Sequence, residues 1–260
     1  MMSPLAILTR PAGRNEALAT RLRGAGWEVH AWPALLIETL PPPGAGLPRP
    51  EDFDLVVFVS GNAARLYLGQ VFGGGGAWPP GTAAATVGPA SARALTGSGF
   101  FGANTTVLHP GDDAPTHDSE ALWRLIQARG VLPRKVLLVR GTRGRDWLAS
   151  QLRQAGAEVC VHAVYRRLPA QWEASRLDTL RLWAAQGRAA TWLLTSGEGI
   201  DAIAAQLARA GLPSWWPQCR YVITHPVLRQ RLALAGEGAA AMVKECMPAD
   251  EAIFEAFGAA

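Results

Sequence analysis

Residues 5–29 align without a gap onto residues 135–159, at an offset of 130, and ten of the 25 positions are identical. Arg10 recurs as Arg140, Leu18-Ala19 as Leu148-Ala149, Leu22-Arg23 as Leu152-Arg153, Ala25-Gly26 as Ala155-Gly156, and Glu28-Val29 as Glu158-Val159. A second pair follows at an offset of 136: Leu55 to Ser60 is similar to Thr191 to Ser196, and Val87 and Arg93 fall opposite Ile223 and Arg229. The chain order is therefore unit a, unit b, unit a, unit b. Repeated α/β units restrict a chain to similar lobes, here with a tandem boundary near residue 130, and the cleft between two lobes is a frequent seat for a small molecule. At 260 residues the chain is long enough for two cores of ordinary domain size.

Within unit a, Leu5 to Thr9 reads as a buried parallel strand. Asn15 caps a helix with apolar positions Ala17, Leu18, Leu22 and Ala25, which Gly26 ends, and Trp27 to Trp32 is the next strand. That order is a βαβ unit with a right-handed crossover. Its copy runs through Val136 to Val139, a helix from Arg145 to Ala155, and a strand from Glu158 to Ala163. In unit b, Leu55 to Val59 is an apolar strand closed by Ser60-Gly61-Asn62, and Ala85 to Val87 is closed by Gly88-Pro89-Ala90-Ser91. The second copy has Thr191 to Leu194 before Thr195-Ser196-Gly197, and Tyr221 to Ile223 before Thr224-His225-Pro226. Strand after strand opens into a hydroxyl- or glycine-bearing turn and a helix start, which in open α/β sheets is the ligand-binding edge. Leu40 to Pro50, with five prolines and two glycines, is a loop. Thr105 to Ser119 is a further connection, leading to a helix capped at Asp118. Ala210 to Pro217, with Trp215-Trp216, reads as a loop or an exposed aromatic patch.

Composition excludes several functions. With 49% hydrophobic and 18% charged residues the chain is globular rather than disordered. No apolar run approaches the roughly 18 residues of a membrane span, and no signal-peptide pattern opens the chain, so a cytoplasmic protein is expected. Cys160, Cys219 and Cys246 have no paired spacing and are expected to be small core residues, and the five histidines lack metal-ligand spacing; no metal is expected. The net charge is +4, and the 25 basic residues include only two lysines, Lys135 and Lys244. Arginine forks suit carboxylates and phosphates. No basic run or aromatic-basic stripe points to nucleic acid, so a small polyanion is the expected partner.

Nucleophile-and-base constellations are missing: no Gly-x-Ser-x-Gly elbow, no lysine for a Schiff base, no paired carboxylates. Arg140-Gly141-Thr142-Arg143-Gly144-Arg145-Asp146 follows a strand and opens a helix, as an anion-facing turn does, but lacks the glycines of a dinucleotide fingerprint and the ending of a P-loop. The remaining candidates are Ser60, Asn62, Ser91, Ser196, Gly197 and Thr224; each taken alone reads first as a helix cap, and their recurrence at equivalent edges of two lobes points to binding for the set. From the residues alone, a non-catalytic two-lobed small-anion-binding module and a nucleotide-dependent transferase stay open beside a cofactor-free enzyme.

The chain resembles the uroporphyrinogen-III synthase family, from Thr9-Arg10-Pro11 to the ending at Pro248-Ala249-Asp250 and Phe257. The elements that carry the resemblance are Val59-Ser60-Gly61-Asn62-Ala63, Val87 to Ala92, Asp118-Ser119-Glu120-Ala121-Leu122, Arg140-Gly141 through Gly144 to Leu148, Val164-Tyr165-Arg166-Arg167, and Leu194-Thr195-Ser196-Gly197. One departure stands at Ile223-Thr224-His225-Pro226-Val227-Leu228, where the family's usual hydroxyl is absent at 227, which moves any binding role to Thr224. The resemblance implies an internally duplicated α/β fold of two flavodoxin-like or Rossmann-like parallel-sheet lobes. One is discontinuous, 1–34 with 170–260; the other is continuous, 39–164; linker strands 35–39 and 164–168 join them. It also implies a cyclising hydro-lyase that closes hydroxymethylbilane to uroporphyrinogen III with inversion of ring D and loss of water, without cofactor or metal. The enzyme would be a cytoplasmic monomer, with hand-over of substrate from hydroxymethylbilane synthase. Tyr165 is the implied catalytic acid. Arg10, Ser60, Asn62, Ser91, Arg140, Arg143, Ser196, Gly197 and Thr224 are the implied substrate-binding set.

Overall fold

The computed structural model describes residues 3–44, 46–102, 105–111, 113–235 and 242–259. In chain order the elements are β1 (Leu5–Leu8), α1 (Glu16–Gly24), β2 (Glu28–Ala31) and β3 (Leu35–Thr39). They continue as β4 (Leu55–Phe58), α2 (Gly61–Phe72), β5 (Ala83–Thr86), α3 (Pro89–Thr96), β6 (Val107–Leu108) and α4 (Ser119–Ala128). After these come β7 (Lys135–Gly141), α5 (Trp147–Gln154), β8 (Glu158–Pro169) and α6 (Ala174–Ala185). The chain ends with β9 (Ala190–Leu194), α7 (Gly197–Arg209), β10 (Arg220–Ile223), α8 (Val227–Ala235), β11 (Val243–Glu245) and α9 (Asp250–Gly258).

Two compact units result: Met1–Ile37 with Leu168–Ala260, and Glu38–Arg167. The first holds a parallel sheet in the order β11-β10-β9-β1-β2. The second holds β8-β7-β4-β5-β6, also parallel, with β3 added at the β8 edge. The two orders correspond strand for strand when β1, β2, β9, β10 and β11 are set against β7, β8, β4, β5 and β6. Counted along the chain within each unit, the first sheet reads 2-1-3-4-5, the flavodoxin order, and the second reads 3-2-1-4-5, the order of a Rossmann sheet. The order reverses between β1 and β9 in one unit and between β4 and β7 in the other. Those two reversals, at the strands' C-terminal ends, are where doubly wound sheets take ligands.

Period-2 alternation explains why these strands bury both faces. Leu5 and Ile7 join Trp192, Leu194, Tyr221 and Ile223 on one face of the first sheet, while Ala6 and Leu8 join Leu193, Val222 and Phe257 on the other. Leu55 and Val57 pack with Val136 and Leu138, Leu122 and Leu148 in the second unit. Helix ends obey the sequence as well: Gly26 and Gly156, equivalent in the repeat, both have positive φ, at 87° and 91°. Asp118 caps α4 by accepting the Ala121 N–H at 2.8 Å.

Several expectations change. Asn15 stands at the start of α1 but makes no capping bond; its amide instead donates to the Arg10 carbonyl at 2.8 Å, fixing the turn after β1. Trp215 and Trp216 form no exposed patch. Both are buried, with Trp216 edge-on to Trp192 and Tyr221, because a 3-10 turn at Trp216–Gln218 folds them under the sheet. Cys160 is exposed rather than in the core, since it lies on the outer strand β8. The connection Thr105 to Ser119 contains the short strand β6, and Glu158 to Ala163 runs on without a break to Pro169. Leu40 to Arg49 is the expected loop apart from Ala45, which lies outside the described residues, while Pro50 opens a 3-10 turn, Pro50–Asp52.

Candidate functional site

At each sheet reversal a serine ends the strand and starts the helix. Ser60 follows β4 and its Oγ accepts the Ala63 N–H at 3.1 Å; Ser196 follows β9 and its Oγ accepts the Gly199 N–H at 3.1 Å. Both serines are extended, with φ of −164° and −158°, as an N-cap requires. The capping reading of these two residues therefore holds, and a capping oxygen keeps its own hydrogen for another acceptor. Asn62 and Gly197 lie in the first turns of α2 and α7, where helix N–H groups remain open to an anion.

Beside each serine the repeat places an arginine, Arg10 just past the end of β1 and Arg140 at the end of β7. Neither is free. Arg10 is 9% exposed; its Nη1 donates to Asp250 at 2.6 Å and its Nε to Asn15 at 3.4 Å, with Nη2 buried and unpartnered among the described residues. Arg140 is 7% exposed and folds back into its own loop, donating to Asp146 at 2.5 Å, Gly144 O at 2.7 Å and Gly141 O at 3.2 Å. A Cβ at Gly144 would come within 2.9 Å of that guanidinium. The 140–146 turn is thus filled by its own arginine rather than held open as a phosphate cradle, because a buried guanidinium must satisfy its donors. Arg143 is exposed in the same turn and lines, with Thr142 and Gly144, an open cavity of about 410 Å³.

Tyr165 is 1% exposed. It sits in the middle of β8, and its ring lies on Gly141 across a bulge in the β7–β8 ladder: a Cβ at Gly141 would stand 2.8 Å from two ring carbons. The hydroxyl reaches the reversal between β4 and β7, where it lies 3.2 Å from Ser60 Oγ. Arg167 Nη2 donates to the same phenol oxygen at 3.2 Å, and its guanidinium carbon is 5.7 Å from the ring centroid. Three segments far apart in sequence, 60, 141 and 165–167, meet in one unit. At the repeat-equivalent of Tyr165 stands Leu35, buried in the other unit's core, so among the described residues that unit offers Ser196 no phenol from this position.

Ser91 is half-buried in the first turn of α3, beside Gly88 at the end of β5. Thr224 is half-buried after β10. At Val227, where the expected hydroxyl is absent, the N–H donates to His225 Nδ1 at 3.2 Å, so an imidazole caps this turn. The sequence singled out Arg10, Ser60, Arg140 and Tyr165 but gave no role to Gly141 and Arg167, which set the geometry of Tyr165, or to Asp146 and Asp250, which hold Arg140 and Arg10. Gly141 carried one signal: its φ is not positive, so the backbone does not need glycine there, and only a close neighbour explains the missing side chain. Among the described residues no group of three His, Cys, Asp or Glu is arranged to hold a metal, and no helix is long and apolar enough to cross a membrane.

Two doubly wound parallel α/β units, each with a serine-capped helix at its sheet reversal, define a two-unit α/β protein of the class whose sheet reversals are the usual seats for ligands. A family model described as uroporphyrinogen-III synthase HemD matches residues 16–246. The uroporphyrinogen-III synthase of Salmonella typhimurium (strain LT2) is 30% identical over 245 residues, covering 92% of this chain and 90% of its own. That of Escherichia coli (strain K12) is 29% identical over 87% of this chain and 88% of its own. The crystal structure of uroporphyrinogen-III synthetase from Helicobacter pylori 26695 superposes with a TM-score of 0.61 at 13% identity, covering 99% of each chain. A mutant uroporphyrinogen III synthase of the extremely thermophilic bacterium Thermus thermophilus gives 0.57 at 15% identity, over 99% of this chain and 98% of that one. At those identities the structures establish the shared fold. The chain belongs to the uroporphyrinogen-III synthase family, cyclising lyases of haem and tetrapyrrole biosynthesis that act on hydroxymethylbilane.

Proposed function

We propose that this chain closes hydroxymethylbilane to uroporphyrinogen III with inversion of ring D, and that the Tyr165–Ser60 hydroxyl pair assists loss of the hydroxymethyl oxygen as water. The observation that carries this is the 3.2 Å contact between the two hydroxyls at the sheet reversal of one unit. Departure of water leaves an electrophilic azafulvene; the last ring attacks it at its substituted carbon to give a spiro intermediate, which rearranges to the inverted macrocycle. The substrate also closes without enzyme to the wrong isomer. A hundredfold preference for one closure takes about 2.7 kcal/mol of differential stabilisation, which a few hydrogen bonds supply.

Donors for the substrate's acetate and propionate carboxylates are the helix starts at Ser60-Asn62, Ser91 and Ser196-Gly197, with Thr224 and the exposed Arg143. Arg140 holds the turn that carries Arg143, and Arg10 braces the turn after β1, since their guanidiniums are engaged within the chain. The proposed organisation is a lobe of 1–34 with 170–260, a lobe of 39–164, and linker strands 35–39 and 164–168. We read the protein as a cytoplasmic monomer that receives its unstable substrate from hydroxymethylbilane synthase. The test is to supply freshly made hydroxymethylbilane, oxidise the products and resolve type I from type III isomers by chromatography. Excess type III is expected; only type I at the uncatalysed rate would reduce the protein to an anion-binding module.

A further inference from the structure

Resting on the synthase reaction proposed above, we infer that Ser60, not Tyr165, is the hydroxyl that meets the departing oxygen, and that Arg167, Tyr165 and Ser60 form one directed donor chain. The direction follows from counting hydrogens. A guanidinium only donates, so at its 3.2 Å contact with Arg167 Nη2 the phenol oxygen accepts. Tyr165 Oη and Ser60 Oγ carry one hydrogen each and share one contact, so one hydrogen is left over. Were it the phenol's, it would sit on a side chain 1% exposed with no second acceptor among the described residues. A buried donor without a partner is disfavoured at least roughly fivefold. Were it the serine's, it would emerge from a half-buried residue at the open end of the sheet. Ser60 Oγ already accepts the Ala63 N–H at 3.1 Å, and with the phenol's hydrogen both its lone pairs are used. Its own hydrogen therefore faces outward.

In the elimination step the Ser60 proton passes to the hydroxymethyl oxygen, the C–O bond breaks, and water leaves while the pyrrole nitrogen's lone pair forms the exocyclic double bond. Ser60 takes the Tyr165 proton in the same movement, leaving phenolate charge beside the Arg167 guanidinium. After closure, the proton shed as the last ring regains aromaticity returns through Ser60 to Tyr165. Tyr165 and Arg167 are in this sense positioning residues that act through Ser60. Among the described residues the other unit has no equivalent donor chain, because Leu35 occupies the position that corresponds to Tyr165.

The experiment measures kcat, KM and isomer ratio on the full-length protein with fresh hydroxymethylbilane for Ser60→Ala, Ser60→Asn, Tyr165→Phe, Arg167→Gln and the double variant S60A/Y165F, with thermal unfolding alongside. Ser60→Asn keeps an oxygen to cap α2 but has no transferable proton, so it separates chemistry from a weakened helix start. Both Ser60 variants and Tyr165→Phe should lose kcat by roughly a hundredfold with KM within about twofold, Arg167→Gln should lose roughly tenfold, and the double variant should be no slower than the worse single. If Tyr165→Phe is impaired while both Ser60 variants turn over normally, the phenol meets the substrate directly and the chain is refuted. Multiplication of the two losses to roughly ten-thousandfold would refute it equally. A wild-type protein that yields no excess type III isomer overturns the synthase reading itself, a distinct outcome.

Discussion

Gly141→Ala is the sharpest probe of how Tyr165 is held. The added methyl would stand 2.8 Å from Cε2 and Cζ of the ring and 3.3 Å from Cδ2, against a carbon–carbon optimum of about 3.5–4.0 Å. The ring has no free direction of retreat: it is buried, its strand is paired to β7, and its hydroxyl is tied to Ser60 and Arg167. Overpacking of this kind costs about 1–3 kcal/mol, and the stiffer unfolded chain returns about 0.4–1 kcal/mol because φ at 141 suits alanine. At mid-range values the net loss is about 1.3 kcal/mol, or a melting temperature roughly 3–5 °C lower. A ring displaced by roughly 0.7 Å, the shortfall from contact distance, also stretches its hydroxyl out of hydrogen-bond range of Ser60, so turnover should fall at least roughly tenfold. Urea and thermal unfolding, with turnover on fresh substrate, measure both effects. The double variant Gly141→Ala/Tyr165→Leu should be more stable than the sum of its singles by roughly 1–2 kcal/mol, as the smaller side chain accepts the methyl. Strict additivity, or a Gly141→Ala protein as stable and active as wild type, would refute the close packing and what is built on it.

Other outcomes follow from the same geometry. Ser196→Ala should lower the urea-unfolding free energy by about 1 kcal/mol through the lost cap of α7. Arg140→Met should cost about 2 kcal/mol, since it leaves two loop carbonyls without their donor while Asp146, 75% exposed, simply hydrates; Arg143→Gln should instead leave the melting curve unchanged, raise KM, and flatten its rise with salt. His162 is buried, with Nε2 unpartnered among the described residues, and burial holds its pKa below the usual histidine value. The unfolded chain then binds the proton more readily, so the stabilising contribution is present above the unfolded value near 6.5 and is lost as the pH falls through the lower folded value. Wild-type stability should therefore drop more steeply between pH 7.5 and 5 than that of His162→Gln, and parallel curves would exclude a role for this ring.

Many elements were legible from short stretches of sequence without help from the rest of the chain. Short apolar runs marked the strands, Asp118, Ser60 and Ser196 marked helix starts, and Gly26 and Gly156 marked helix ends, because each depends on a few neighbouring residues. Asn15 shows where that locality fails: its position at the helix start was legible, but the competing donor and acceptor on Arg10 redirected its side chain. Trp215 and Trp216 failed for the opposite reason. Nothing within their own segment could reveal that Trp192 and Tyr221, from two strands, would cover them.

The candidate site divides in the same way. Residue types could nominate Ser60 and Arg140 singly, and only the resemblance's ordered motifs added Tyr165 and associated the three with one reaction. That β4, β7 and β8 lie side by side is decided by how the layers bury both faces of a parallel sheet, a property of the whole unit. That adjacency alone sets Ser60 against Tyr165 and leaves room for the ring only because residue 141 has no side chain, while in each unit a separate carboxylate, Asp146 for Arg140 and Asp250 for Arg10, turns the repeat-related arginine inward as a support.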